Sequence, residues 1–246
     1  MLFEGLQDAD KGHRRHCPKE EVRMCGRFTL RTPVDELLER FQLTLPDFGV
    51  EPRYNIAPTQ GILTAVSDGE QRHPVLMRWG LIPHWSKDAS NAARMINARQ
   101  ETLTERISYK NLVNRRRCLI LADGFYEWKA ENGAKTPMYI TLPDGEPFAM
   151  AGLWDTWRNP ETNELITSCT IVTRTACPSL AEIHHRMPLV LSRDDEELWV
   201  NLTPLSASDI EAISQRVPQE FNYYPVSKLV NSPRNDSPEC ILRHSE

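Results

Sequence analysis

The sequence predicts an α+β fold: a single domain with a largely antiparallel, barrel-like β core flanked by short helices. Three observations carry this prediction. Short apolar or alternating runs recur along the chain, turn signals such as Asp68-Gly69 and Pro143-Asp144-Gly145 separate them, and helical periodicity is confined to few stretches. The chain has 246 residues, 40% of them hydrophobic, which suffices for one substantial core. No apolar run approaches the ~18 residues that would span a membrane.

Residues 1–23 are polar, with five acidic and five basic residues and no apolar centre of a signal peptide. They read as a disordered or untranslated extension of a cytoplasmic protein. The domain is expected over residues 24–241, with a polar tail at 242–246. Residues 27–31 read as a strand and 33–41 as an amphipathic helix with Pro33 near its first turn. The proline-flanked 52–58 reads as a loop, 62–66 and 74–80 as a hairpin, and 80–86 as a loop with Trp85 at its tip. Thr102 and Glu105 have capping-box spacing, so a helix is expected from there to about Val113. Residues 117–122 and 125–129 read as strands about an Asp123-Gly124 turn, and 137–142 with 147–153 as a hairpin. Further strands are expected at 167–173, 187–191 and 223–227, a short helix at 177–183, and helices at 194–200 and 206–215.

The six cysteines (17, 25, 118, 169, 177 and 240) show no CxxC spacing and read as free thiols, not a zinc cage or disulfide framework. Net charge is −5, yet residues 87–117 hold eight Lys/Arg against three Asp/Glu, while 118–246 hold ten against nineteen. One-sided basic charge of this kind suits a phosphate backbone or a solvated helical face, and charge alone does not choose between them.

Cys25 is the residue with most chemical potential. If translation starts at Met24, removal of that Met before so small a residue leaves a cysteine with a free α-amine. That amine titrates near pH ~8, against ~10.4 for lysine, so part of it is unprotonated at neutral pH. A 1,2-aminothiol can condense with an aldehyde and close a five-membered thiazolidine. Glu127, between aromatics in Gly124-Phe125-Tyr126-Glu127-Trp128, is expected to be desolvated and suited to acid/base work. His184-His185-Arg186 supplies imidazoles for proton transfer and a guanidinium for a phosphate. Asn97 and Arg99, two apart, share a face of an extended segment. Trp85 offers a ring for an unpaired base. Each also has a structural reading: a core thiol, a salt-bridged strand glutamate, a satisfied histidine, a turn asparagine, a core tryptophan.

Six motifs then occur in order: Met24-Cys25-Gly26-Arg27-Phe28, Arg53-Tyr54-Asn55-Ile56-Ala57-Pro58, Trp79-Gly80-Leu81-Ile82-Pro83, Ile96-Asn97-Ala98-Arg99-x-Glu101-Thr102, Asp123-Gly124-Phe125-Tyr126-Glu127-Trp128 and His184-x-Arg186-Met187-Pro188. The series resembles the SOS response-associated peptidase family of abasic site processing proteins. The resemblance implies recognition of abasic sites in single-stranded DNA and cross-linking to them through mature N-terminal Cys25. It implies Glu127 as acid/base, His184 as proton donor and acceptor at the sugar, and Asn97 as the residue that orients the cross-link. Arg27, Arg99 and Arg186 would hold phosphates, with Trp85 and Pro58 against neighbouring bases. Lyase-like and autopeptidase-like chemistry follow from the same resemblance; a monomer and a cytoplasmic, nucleoid-associated location are expected as well. No cofactor, metal or membrane partner is implied.

Residues 1–24 conflict with a free amine at Cys25, so Met24 is expected to be the true start, with autoproteolysis the second route. Two other functions use the same residues: a cysteine peptidase acting on proteins through Cys25, Glu127 and His184, and a non-catalytic single-strand binding module. The first needs only the thiol; the second forms no covalent product.

Overall fold

The computed structural model describes residues 26–131 and 133–244. Their strands are β1 (Phe28–Leu30), β2 (Arg53–Ile56), β3 (Gly61–Ser67), β4 (Arg72–Trp79), β5 (Asn97–Arg99), β6 (Arg117–Ala122), β7 (Gly124–Glu131), β8 (Ala134–Thr141), β9 (Phe148–Arg158), β10 (Leu165–Thr175), β11 (Arg186–Pro188) and β12 (Asn222–Pro225). The helices are α1 (Val34–Phe41), α2 (Leu112–Arg115), α3 (Arg193–Val200) and α4 (Ala207–Gln215).

Five strands close into a barrel in the order β10-β4-β3-β6-β9, with β9 pairing back onto β10. All neighbours are antiparallel except β10 and β4, which run parallel with Ser168 opposite Arg78. Every residue of β6 is buried, which is why Arg-Cys-Leu-Ile-Leu-Ala reads as an almost unbroken apolar run. α3 packs on β6, and its Trp199 indole donates to the carbonyls of Cys118 and Gly152, each at 3.2 Å. A second, open antiparallel sheet has the order β12-β8-β7-β1-β2. The α+β barrel architecture is the one expected from the sequence.

Several local expectations differ from the structure. Residues 53–56 form β2, not a loop, because Asp236 Oδ1 accepts the Tyr54 and Asn55 amides at 2.6 and 2.9 Å and fixes them extended. The expected helix to Val113 is broken into a 3₁₀ turn at Gln100–Thr102, further turns, and the short α2, and the Thr102 hydroxyl points back to the Arg99 carbonyl. Asp123-Gly124 does not join a hairpin. It carries the chain from the barrel (β6) to the open sheet (β7), and residues 137–153 likewise split between β8 and β9 in different sheets.

The crossover at Asp123 is tightly specified. Its buried carboxylate accepts the Arg31 and Thr32 amides at 2.6 and 2.8 Å and the Thr29 hydroxyl at 2.5 Å. Gly124 must be glycine because a Cβ there would collide with the Tyr139 ring. The C-terminal segment folds back as a strap. Asn55 Nδ2 donates to the carbonyls of Val230, Ser232 and Asn235, and His244 N–H donates to Pro225 O at 2.8 Å. The first part of the expected polar tail is therefore paired. Among the described residues, no helix is long and apolar enough to cross a membrane.

Candidate functional site

The last residues of β10 gather most of the predicted polar groups. β5 pairs parallel with β10, placing Asn97 opposite Ile171 and Arg99 opposite Thr173. β11 pairs antiparallel with the same end of β10, placing Pro188 opposite Thr173 and Arg186 opposite Thr175. Segments far apart in sequence, 97–99 and 184–188, thus share one mouth of the barrel.

His184 sits in the connection between a 3₁₀ turn at Pro178–Leu180 and β11, stacked on His185 with ring centroids 4.4 Å apart. Its Nδ1 lies 3.1 Å from the Arg186 amide and 3.2 Å from the Arg186 carbonyl. The neutral ring accepts from the amide, and a protonated Nδ1 donates to the carbonyl, so the imidazole has a main-chain partner in both charge states. Its Nε2 is buried with no hydrogen-bond partner among the described residues. Burial holds the imidazole pKa below its ordinary value, assisted by the charges of His185 and Arg186 and opposed by the bond to the Arg186 carbonyl.

The other predicted residues divide clearly. Glu127 is buried on β7, opposite Met138. β1 pairs with β7, and the Tyr126 amide donates to Arg27 O at 3.0 Å. Gly26, the residue joined to Cys25, therefore leads directly into the strand that lies against that of Glu127. Cys25 itself, and the extension before it, lie outside the described residues. The four cysteines within them (118, 169, 177 and 240) are free and buried.

Arg27 and Arg186, both expected to hold phosphates, are already engaged. Arg27 donates to Asn55 Oδ1 at 2.9 Å, Val230 O at 2.6 Å and Asn231 O at 3.0 Å. Arg186 is 8% exposed and clamps Glu101 with both terminal nitrogens while donating to Thr173 O at 2.7 Å. Arg99 is exposed. Pro58 is half-buried in the turn between β2 and β3. Trp85 is 54% exposed beside a groove of about 240 Å³ lined by His84, Ile107 and Asn111.

Sequence reasoning passed over Glu101 and Glu182 as site residues. Glu182 accepts from Lys129 Nζ at 3.0 Å and from the Tyr223 hydroxyl, tying the His184 segment to β7. Lys129 lies two residues from Glu127 on the same strand face. The available signal was proximity to His184 and Arg99 in sequence; the partners were invisible because they come from other elements.

The end of β10 thus carries an exposed arginine (Arg99), a carboxamide (Asn97) and a partly buried imidazole (His184). Residues 24–233 match the model of the SOS response associated peptidase (SRAP) family. The chain is 43% identical over 236 residues to abasic site processing protein YoqW of Bacillus subtilis, covering 90% of this chain and all of that one. It is 33% identical to abasic site processing protein HMCES of Gallus gallus, covering 72% of this chain and 59% of the other. A solved Bacteroides thetaiotaomicron structure has the same fold at a TM-score of 0.78 and 24% identity, covering 90% of this chain and all of the other. A phage-related protein from Bordetella bronchiseptica superposes with a TM-score of 0.64 at 30% identity, over 82% of this chain and 94% of that chain. The chain belongs to the SRAP family.

Proposed function

We propose that this protein processes abasic sites in single-stranded DNA by forming a covalent cross-link through Cys25, acting as a monomer in the cytoplasm. The relatives named abasic site processing proteins supply the substrate class. The observation that carries the reading is the convergence of Asn97, Arg99 and His184 on one end of β10, with the chain from Cys25 entering alongside the strand of Glu127.

The proposed reaction balances simply. The Cys25 amine adds to the aldehyde of the ring-opened sugar, and loss of one water gives an imine. The thiol then adds to the imine carbon, its proton passes to nitrogen, and a thiazolidine closes with the phosphodiesters intact. Glu127 relays protons during dehydration and closure, His184 serves the sugar oxygen, and Asn97 orients the adduct. Arg99 takes the neighbouring phosphate and Trp85 stacks on an adjacent base. Arg27 and Arg186 shape the site and meet the strand only through donors left over from their internal partners. The mechanism requires nothing ahead of Cys25, either because translation starts at Met24 or because the preceding segment is removed.

Incubation with a single strand carrying one abasic site tests this. The expected product is a shifted species that survives denaturation and disappears in Cys25→Ser. Cleavage of a protein substrate without a DNA adduct would favour the peptidase reading. Salt-sensitive binding to intact DNA without adduct would favour a simple binding module.

A further inference from the structure

Glu101 has no role in the mechanism above, yet its contacts connect both halves of the site. It lies two residues after Arg99, in the 3₁₀ turn that follows β5. Its side chain is 46% exposed, whereas that of its partner Arg186 is 9% exposed. A surface carboxylate thus reaches back onto an almost buried guanidinium and holds it in a bidentate pair. Hydrogen bonding from Arg186 keeps the Glu101 carboxyl below its ordinary range, so it is ionised at neutral pH.

Arg186 is also the residue whose main-chain amide and carbonyl meet His184 Nδ1. Its guanidinium bonds to Thr173 O, which lies on β10 opposite both Arg99 and Pro188. One line of contacts therefore runs from Glu101 through Arg186 to the imidazole. We propose that Glu101 is a positioning residue: by clamping Arg186 against β10 it fixes the main chain at 186, and so the orientation and tautomer of His184. With the Arg186 amide donating to Nδ1, the neutral ring carries its proton on Nε2, the nitrogen left for the reaction. This rests on the proposed role of His184 at the sugar.

Glu101→Gln tests it, since the amide keeps the size and loses the charge and the symmetrical acceptor pair. Removing a positioning contact of this kind is expected to slow single-turnover adduct formation at saturating DNA about tenfold. Affinity for the intact strand should stay the same or tighten, because a negative charge beside Arg99 and Arg186 is removed. Glu101→Asp, which keeps the charge, should recover part of the rate. Imidazole nitrogen shifts measured by NMR should show the Nε2–H tautomer of His184 in the wild type and a mixture in Glu101→Gln. The charged groups that act on that ring are His185 and Arg186, and the substitution replaces neither. An unchanged tautomer and rate would overturn the proposal. So would equal losses of rate, affinity and melting temperature, which mark a structural role only. A wild type that forms no adduct at all would instead refute the proposed function, and the tautomer comparison would still decide the role of Glu101.

Discussion

Two regions near the proposed site use similar residues to opposite ends. Around the C-terminal strap, Arg27, Asn55 and Asp236 are bound to one another and to main-chain groups of strands and strap. At the end of β10, Arg99 is exposed and His184 keeps a buried nitrogen without a partner among the described residues. Both regions come from equally conspicuous sequence motifs. What separates them is whether the fold satisfies their donors: where it does, the motif builds shape, and where it does not, the motif is left to meet a ligand.

The comparison would break most visibly at Asn55. It is fully buried and bonds three carbonyls and the Arg27 guanidinium, so Asn55→Ala is expected to destabilise the protein by ~3 kcal/mol or more through stranded partners. Denaturant unfolding measures this, and the folded fraction should still cross-link. A stable variant with lost DNA binding would reverse the assignment of this region.

Arg99→Ala should do the opposite. Its melting temperature should match the wild type, while affinity for single strands falls and the slope of log K against log salt shrinks by about 0.7, the loss of one phosphate contact. Arg27→Ala should lower stability and reduce that slope by less than Arg99→Ala does, since most of its donors are committed to internal partners. Equal slopes for both variants would erase the distinction between the regions.

His184 gives a smaller, pH-dependent effect. Its folded pKa is depressed, mainly by burial, so below ~6.5 the unfolded chain takes up the proton first. The stability it contributes is present above that pH and is lost as pH falls through the lower folded value. The difference between wild type and His184→Gln should therefore shrink on acidification, and adduct formation in the wild type should persist below the ordinary histidine range. Smallest of all is Lys129→Met, which removes an exposed pair with Glu182; no resolvable change in stability is expected, only a modest slowing of the reaction.

The barrel strands were legible wherever a strand carried an apolar run bounded by turn residues, as in β3, β4, β6 and β10. α4 was legible as the helical stretch 206–215, and the structure adds a capping box between Ser206 and Asp209 at its start. The Asp123 crossover was not legible, because a turn between two strands looks the same in sequence whether the strands pair or enter different sheets. β2 was missed because its extended form is imposed by Asp236, more than 180 residues away. The chemistry-bearing residue types at the site were legible from their surroundings. The commitment of Arg186 to Glu101 and of Arg27 to the strap was not, since a guanidinium in sequence carries no mark of its partner.

The central claim is that Cys25 acts with its own amine and thiol together. Intact mass of the adduct formed with a defined abasic single strand tests it most directly. The account predicts the mass of the chain beginning at Cys25 plus the strand, less one water. A normal adduct on a chain that still retains residues 1–24 would contradict it.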